Sequence, residues 1–299
     1  MSANEQAVAV ATPVVTRRGP SRLQKLARIA RKQPMGVFGA IIIVLLVLMA
    51  LFAPVIAPYD PTSIEFSSIE SPSASHLFGT DDKGRDIFSR VVYGSRASLQ
   101  VGIIATLIGV AGGALVGLVS GYFGGVVDMI IQRVMDAMLA FPFIILALIM
   151  VAVFGNSMAK LMIVLGVAII PSVGRLMRGV VLSEKELLYV QAAQSVGVST
   201  PRILFRHILP NVASSLIVIG TSLLGTAILV EASLSFLGMG TPPPTPTWGA
   251  DLSGNARVYF QHAPWMAIFP GLALSLAVLG FNLLGDALRD VLDPRLRNR

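Results

Sequence analysis

The sequence predicts an all-α protein that crosses a membrane six times. Of its 299 residues, 54% are hydrophobic and 13% are charged, whereas ordinary soluble domains are roughly 25% charged. The mean hydropathy is +0.76. The apolar residues are concentrated in segments that mostly approach or exceed the ~20 residues that a membrane helix needs. These segments are residues 36–57, 98–121, 137–155, 161–173 (extending toward Met177), 212–237 and 264–288.

The amino-terminal region predicts three successive elements. Residues 1–20 show no hydrophobic periodicity and are expected to form a disordered cytoplasmic tail. Residues 21–33 place basic side chains beside Leu and Ile, which is typical of an amphipathic helix on an anionic membrane surface. A nucleic-acid-binding arm is the alternative, but it is disfavoured because an apolar membrane anchor, residues 36–57, follows directly. Residues 21–57 are therefore treated as one unit, an amphipathic helix followed by the first transmembrane anchor. The basic side chains are Arg22, Lys25, Arg28 and Arg31.

The distribution of positive charge predicts the orientation of the spans. With both termini in the cytoplasm, 17 of the 23 Lys and Arg residues lie on cytoplasmic segments, as the positive-inside rule requires. Residues 58–97 then form an extracytoplasmic loop, which we call the first loop. Residues 98–290 form a core of five helices, which includes a cytoplasmic segment, residues 182–210, that we call the elbow. Residues 291–299 are a cytoplasmic tail.

Glycines recur at every fourth position through the second span. Such a row lets another helix approach closely and gain van der Waals contact that lipid does not provide. We expect the partner helix to lie in this chain, and a helix of a neighbouring subunit is the alternative. The row consists of Gly109, Gly113, Gly117, Gly121 and Gly125.

The two longest extracytoplasmic loops have different compositions. Residues 79–89 alternate acids and arginines with glycines, so we expect the first loop to close into a salt-bridged cap. Direct contact with substrate and the seating of a binding protein are the alternatives. Residues 238–262 hold four prolines ahead of Trp248, which predicts a stiff rim with an aromatic side chain at the membrane interface.

The elbow predicts two short helices with a break between them. Residues 187–196 have helical periodicity, and Gly197 follows where a left-handed residue ends many helices. Thr200 is expected to cap the second helix, with Pro201 at its first position. Pro210 is expected to stop it, because proline lacks the amide donor and restricts the residue before it. An ordinary helical hairpin between spans is the alternative to a docking element.

Two segments carry a resemblance to a known family. The elbow resembles the loop by which permease subunits of bacterial ABC importers dock on their ATPase subunits, although the glutamate usual before the alanine pair is replaced by glutamine. The first loop resembles a signature of the dipeptide, oligopeptide and nickel branch, in the second of its two paired permeases. The resemblance extends over about residues 34–297. The matching elbow residues are Gln191, Ala192, Ala193, Gly197, Ile208, Leu209 and Pro210, and those of the first loop are Gly79, Thr80, Asp81, Gly84, Arg85 and Asp86.

The resemblance implies the fold, the partners and the transported substrate. The fold would be that of a type I ABC importer permease in a bacterial cytoplasmic membrane. The partners would be a second permease, two ATPase subunits that bind ATP and magnesium, and an extracytoplasmic substrate-binding protein. This chain would form half of the path for dipeptides or oligopeptides and would hold no cofactor. A nickel or glutathione importer is the alternative, and a secondary transporter is less favoured because paired mid-membrane charges and an inverted repeat are not evident.

The sequence contains no recognisable catalytic or metal-binding motif. It has no phosphate-binding loop, no HExxH and no G-x-S-x-G, so we predict a transport subunit rather than an enzyme. The absence of cysteine excludes disulfides and thiol chemistry. The three histidines are scattered over both sides of the predicted membrane, which argues against a metal site.

Acidic residues within or at the ends of spans are candidates for function. Glu231 lies near the extracytoplasmic end of the fifth span, where it could line the substrate path or bond to Ser233 and Ser235. Asp136 and Asp286 lie at predicted cytoplasmic ends of spans. We expect both to pair with basic residues at the membrane surface.

Overall fold

The computed structural model describes Arg31 and residues 33–292 of the chain. The predicted amino-terminal tail, most of the amphipathic segment and most of the carboxy-terminal tail lie outside the described residues. Within them the protein is helical and contains no β-strand beyond one isolated bridge between Thr80 and Asp86. The helices are α1 Pro34–Leu51, α2 Ala53–Ile56, α3 Ile87–Phe123, α4 Gly125–Leu139, α5 Phe143–Phe154, α6 Met158–Glu184, α7 Leu188–Ser195, α8 Thr200–Arg202, α9 Leu209–Phe236, α10 Trp248–Asp251, α11 Asn255–Val258 and α12 Trp265–Leu292.

The number of membrane-spanning elements depends on a bent helix pair. Among the described residues, five helices are long and apolar enough to cross a membrane, and there are up to six spans if α4 and α5 count as one. These two helices meet at an angle of 92°, so the third span expected over residues 137–155 is not a single helix: it is divided between the end of α4 and the whole of α5. Pro142 is the reason, since it adopts an extended conformation ahead of α5 and has no amide hydrogen to continue α4.

The predicted stop at Pro210 is also wrong. A continuous helical run extends over Thr200–Phe236, with a π-helical turn at Ile203–Ile208 just before α9. In this turn the Leu209 amide donates to the Leu204 carbonyl, one residue further back than in an α-helix. The π turn shifts the hydrogen-bond register, and Pro210, which has no amide hydrogen to donate, follows it without ending the helical run.

Helix α3 is the central element of the bundle. It packs along α6, where the row of glycines meets side chains and backbone of α6: Gly109 faces Ile169, Gly113 faces Val173, and Gly117 faces Met177. The prediction of a partner helix within this chain is therefore confirmed. Gly125 is the exception, because α3 ends at Phe123, Gly124 follows with a positive φ of 64°, and nothing packs against Gly125.

The remaining long helices complete the bundle around α3. Helix α9 packs on both α3 and α12, and α12 packs on α1. Gly36 and Gly39 of α1 sit against Ala287 and the Gly280 carbonyl of α12, so small residues again permit close helix approach. The elbow lies at one end of α3, and the first loop lies at the other.

Candidate functional site: the elbow and the loop cap

Helix α7 of the elbow ends in a Schellman motif. Gly197 has a φ of +74°, and its amide donates to the Gln194 carbonyl at 2.9 Å while the Val198 amide donates to the Ala193 carbonyl at 3.0 Å. These are the two bonds that satisfy the last carbonyls of a helix that ends in a left-handed residue. The glycine break predicted from the sequence is confirmed.

The start of the second elbow helix differs from the prediction by one residue. Ser199, with extended backbone angles, is the N-cap of α8, and Thr200 and Pro201 are its first two helical residues. The side chain of Ser199 makes no capping bond. Pro201 favours the helix start because its fixed φ is compatible with the first turn, where an amide donor is not needed.

One face of the elbow is fixed to the transmembrane bundle. Val190 and Ile208 are completely buried, in a cluster with Met177 and Val181 of α6. Two polar contacts reach the end of α3: the Lys185 ammonium donates to the Gly121 carbonyl at 3.1 Å, and the Gln194 amide donates to the Tyr122 hydroxyl at 3.2 Å. The elbow and the end of α3 are therefore coupled mechanically.

Tyr189 adds a third attachment of the elbow. Its hydroxyl donates to a Glu184 carboxylate oxygen at 2.6 Å. Burial, together with this bond to an anion, raises the pKa of Tyr189. The hydroxyl thus joins the end of α6 to the start of α7.

The opposite face of α7 is exposed and partly apolar. Leu188 is 82% exposed, and Val196, just after the helix, is 79% exposed. Gln191, Ala192 and Ser195 are exposed beside them. We call the exposed residues Leu188, Gln191, Ala192, Ser195 and Val196 the elbow face.

The alanine pair is divided between the two faces. Ala192 points outward, whereas Ala193 is only 9% exposed and belongs to the buried cluster. The two alanines do not share one exposed surface, because consecutive helical residues point about 100° apart. Ile208 is buried like Ala193, so these two residues position the elbow, whereas Gly197 and Pro210 are exposed and Leu209 is half-buried.

Gln191, which stands where the family usually has a glutamate, has a structural role. Its side-chain amide nitrogen donates to the Glu186 carbonyl at 3.0 Å. A carboxylate at position 191 could not donate this bond. Gln191 thereby fixes the turn that enters α7.

We expect Gly197→Ala to destabilise the elbow locally by about 1 kcal/mol, because an alanine pays a steric penalty at positive φ. Nothing lies within 4 Å of the added methyl group, so the effect comes from backbone strain alone. Hydrogen exchange of residues 188–208 in the full chain should be about five-fold faster, which corresponds to that free energy. Gly179→Ala, a control at a helical glycine with equal free space, should not accelerate exchange there. An unchanged exchange rate in Gly197→Ala would contradict the conclusion that α7 ends at a left-handed residue at position 197.

The first loop folds into the compact cap that its charge pattern predicts. Asp81 accepts the amides of Lys83 and Arg85 at 2.8 and 2.9 Å, and it pairs with the Arg85 guanidinium at 2.6 Å. Asp86 caps α3 by accepting the Ser89 amide at 2.7 Å. Thr80 is fully buried, and its hydroxyl donates to the Ser67 carbonyl at 2.8 Å. The motif therefore builds the cap and begins α3.

The glycines of the loop motif permit close approach of the backbone. Gly79 and Gly84 have φ values of +76° and +73°. A side chain on either would collide with a carbonyl oxygen, that of Glu70 or that of Phe66. A glycine is needed at both positions for the loop to close.

The cap is tied to the second long loop by a buried ion pair that the sequence analysis missed. Arg90 of α3 donates from Nε to an Asp251 carboxylate oxygen at 2.9 Å, and its terminal nitrogen contacts the same oxygen. These residues are 161 positions apart, so local patterns could not reveal the pair. Burial raises the pKa of Asp251, and the charge of Arg90 opposes that shift. We refer to the first loop together with α10 as the loop cap.

Trp248 does not lie at the membrane interface. It is completely buried, and its indole nitrogen donates to the Val91 carbonyl at 3.0 Å. The ring packs against Gly94 of α3. The predicted aromatic rim is therefore wrong at this residue, because an internal carbonyl of α3 satisfies the indole donor and allows burial.

Glu231 is enclosed between α3 and α9. Its side chain is completely buried, and it accepts hydrogen bonds from Ser235 at 2.7 Å and from Ser98 of α3 at 3.3 Å. The expected bond to Ser235 is confirmed, whereas the Ser233 hydroxyl donates to the Leu229 carbonyl. One carboxylate oxygen bonds within α9 and the other joins α9 to α3, and a part for Glu231 in the substrate path stays a prediction.

Ion pairs also attach α4 to α6 near the elbow. Arg178 donates to both oxygens of Asp128 at 2.6 and 2.5 Å, an interaction that the sequence analysis missed. Arg175 pairs with Asp136, as expected for that acid. Asp286 forms no ion pair within the described part of the chain, contrary to expectation, although its neighbours beyond residue 292 are not described.

The chain matches two family models. One, described as the binding-protein-dependent transport system inner membrane component, matches residues 113–298. The other, the N-terminal transmembrane domain of oligopeptide transport permease C, matches residues 21–72.

Curated relatives match nearly the whole chain. A dipeptide transport system permease protein of Alkalihalophilus pseudofirmus is 45% identical over 90% of this chain and 88% of its own length. A glutathione transport system permease protein of Pectobacterium atrosepticum is 44% identical over 89% of each. The glutathione permease of Escherichia coli O6:H1 is 46% identical over 89% of this chain and 88% of its own length.

Proposed function

This chain belongs to the family of binding-protein-dependent transport system inner membrane components, the permease subunits of ABC importers, and from that premise we propose that it forms half of the translocation path of a peptide importer. It is a multi-pass protein of the inner membrane. We further propose that it pairs with a second permease and works with two ATPase subunits and an extracytoplasmic binding protein. The ATP and magnesium would be bound by the ATPases and not by this chain.

The elbow face is the observation that carries this proposal. It combines exposed Leu188 and Val196 with the small side chain of Ala192, and exposed apolar residues on a short helix outside the spans favour a protein partner. The buried side of the same helix is attached to α3 and α6. An ATPase bound at this face could therefore move the helix bundle.

A movement of the elbow would be transmitted along α3. This helix has 37 residues, about 55 Å at 1.5 Å per residue, and it connects the end that contacts the elbow to the end that carries the loop cap. Closure of the ATPases would shift the elbow as a rigid element. The bundle would then exchange between states open to opposite sides of the membrane.

The proposed substrate is a short peptide. The relatives above are named for a dipeptide and for glutathione, which both present free ammonium and carboxylate groups. A nickel importer is the second candidate from the sequence. The names of the two relatives favour a peptide.

The proposed orientation places the elbow and both termini in the cytoplasm. An even number of spans, reached when α4 and α5 count as one, returns the chain to its starting side. The excess of Lys and Arg on these segments supports this orientation.

The proposal is tested by reconstitution. We expect a tag on the full chain to recover a second permease and ATPases from the native membrane, and the proteoliposomes to take up alanyl-alanine only with ATP and binding protein. Glutathione and Ni²⁺ serve as competing substrates. Recovery of the chain without any ATPase, or uptake that continues without ATP, would refute the proposal and favour a secondary transporter.

A further inference from the structure

A groove of about 720 Å³ lies between α6, α9 and α12, and we call it the serine groove. Its wall combines apolar side chains with three serines, an acid and an arginine. Two of the apolar residues, Val180 and Ile219, also pack on the buried cluster that holds Val190 and Ile208 of the elbow. The serine groove therefore lies at the elbow end of the bundle. Its polar residues are Ser214, Ser215, Ser222, Asp286 and Arg289.

The two charged residues of the serine groove are exposed and unpaired. Asp286 and Arg289 lie one turn apart on α12, a spacing that places Cβ atoms roughly 5–6 Å from each other. Neither side chain forms an ion pair or a hydrogen bond in the part of the chain that the structure describes. A ligand that carries a positive and a negative group a short distance apart can therefore bind to both.

The serines supply hydrogen-bonding groups along the α9 side of the serine groove. The Ser222 hydroxyl donates to the Val218 carbonyl at 3.2 Å, which leaves its oxygen able to accept. Ser222 lies about 20 Å along α9 from Leu209, well inside the span. Because hydroxyl and charged groups are unfavourable against hydrocarbon, the serine groove is suited to water and a polar ligand rather than to lipid chains.

We propose that the serine groove binds the transported peptide near its exit, with the peptide's ammonium group at Asp286 and its carboxylate at Arg289. The inference deepens the proposed function and rests on it for the peptide and for the direction of transport. A fully extended dipeptide is about 7 Å long, so its two ends can reach side chains that are one helical turn apart. The volume lies within the roughly 300–1,000 Å³ that is usual for small-molecule sites.

This arrangement recognises only groups that all short peptides share. Asp286 and Arg289 take the two termini, and the serines take backbone amide and carbonyl groups. The peptide's own side chains meet apolar wall residues such as Leu176, which favour contact without selecting one side chain. Because the wall shares a buried cluster with the elbow, a movement of the elbow changes the shape of the serine groove and so releases the peptide.

The paired charges have two possible sources, and the experiment distinguishes them. The headgroup of phosphatidylethanolamine also carries an ammonium group and an anion. The preparation therefore contains the full chain with its co-purified subunits in nanodiscs of phosphatidylglycerol, without ATP or binding protein. Binding of alanyl-alanine is measured by saturation-transfer NMR, which detects the weak complexes that a site of release requires. N-acetyl-alanyl-alanine, which lacks the ammonium group, and alanyl-alaninamide, which lacks the carboxylate, are measured beside it.

We expect alanyl-alanine to bind and each modified form to bind about threefold more weakly, as for the loss of one partly exposed ion pair. Asp286→Asn should weaken alanyl-alanine binding by the same factor and should remove the effect of acetylation. Arg289→Gln should likewise remove the effect of amidation. Asp290→Asn changes an exposed acid of the same helix that does not line the serine groove, and it should bind as the wild type does.

Three outcomes would overturn the inference. They are the absence of alanyl-alanine binding, wild-type binding by both Asp286→Asn and Arg289→Gln, and an equal loss of all three ligands in both variants. Retention of phosphatidylethanolamine by the wild type but not by Asp286→Asn, without any peptide binding, would assign the serine groove to a lipid headgroup and would also reject the inference. ATP-driven uptake measured separately distinguishes this failure from failure of the proposed function, since peptide uptake without binding here would reject only this site.

Discussion

Gly117→Leu is expected to prevent the chain from folding into a stable bundle. A Cβ atom at position 117 would lie 2.8 Å from the Gly174 carbonyl oxygen and 2.9 Å from the Arg178 nitrogen. Both are backbone atoms of α6, which cannot move without separating the two helices. Overpacking commonly costs about 1–3 kcal/mol, and a leucine in this seam should exceed that range. Total stabilities are only about 5–15 kcal/mol.

The measurement is the yield of monodisperse protein from the membrane, with its thermal midpoint in detergent. Gly117→Ala should lower the midpoint, and Gly117→Leu should leave little monodisperse protein, because the expected destabilisation takes up a large part of a total stability of about 5–15 kcal/mol. Gly179→Leu is the matched control, because Gly179 is a helical glycine of α6 with nothing within 4 Å of a Cβ atom. Normal yield and stability of Gly117→Leu would show that the seam between α3 and α6 is not closely packed in solution.

Ala192→Arg is expected to abolish ATP-driven uptake while leaving the chain folded. Ala192 lies on the exposed side of α7, so an arginine can extend into solvent in the isolated subunit. If an ATPase binds the elbow face, the same arginine becomes an unpaired charge in the interface. A penalty of about 3 kcal/mol for such a charge lowers affinity roughly a hundredfold.

The controls for this experiment use the division of the alanine pair. Ala192→Ser keeps a small side chain and should retain uptake. Ala193→Arg introduces a charge where the side chain is 9% exposed, so it should disorder the elbow itself, which hydrogen exchange detects. Ala192→Arg should lose the co-purifying ATPases with the elbow still protected. Full uptake by Ala192→Arg would place the docking surface elsewhere.

The elements that could be predicted from the sequence are those that local physics determines. The apolar segments, the glycine row and the break at Gly197 depend on residues within one or two helical turns. Each has a periodicity or a backbone requirement that is visible without a partner. The charge pattern of the first loop likewise predicts a cap, because Asp81 and Arg85 are only four positions apart.

The predictions that were wrong concern residues at which a short-range preference competes with hydrogen bonding or packing. Pro210 was expected to end a helix, but the π turn at Ile203–Ile208 accommodates it. Trp248 was expected at the membrane interface, but the Val91 carbonyl satisfies its indole. The preference of a single residue type does not indicate how the surrounding backbone will satisfy its hydrogen-bonding needs in the folded protein.

The sequence by itself determined that this protein is an all-α membrane permease with an elbow at one end of its bundle and a folded loop at the other. Only the tertiary structure decided that Ala192 and not Ala193 faces outward, that Arg90 joins Asp251, and that Ser222 and Asp286 line one groove. The physical reason is sequence distance. Helical periodicity and turn chemistry act between neighbours, whereas side-chain pairing and cavity shape depend on segments that only the packing of the helices brings together.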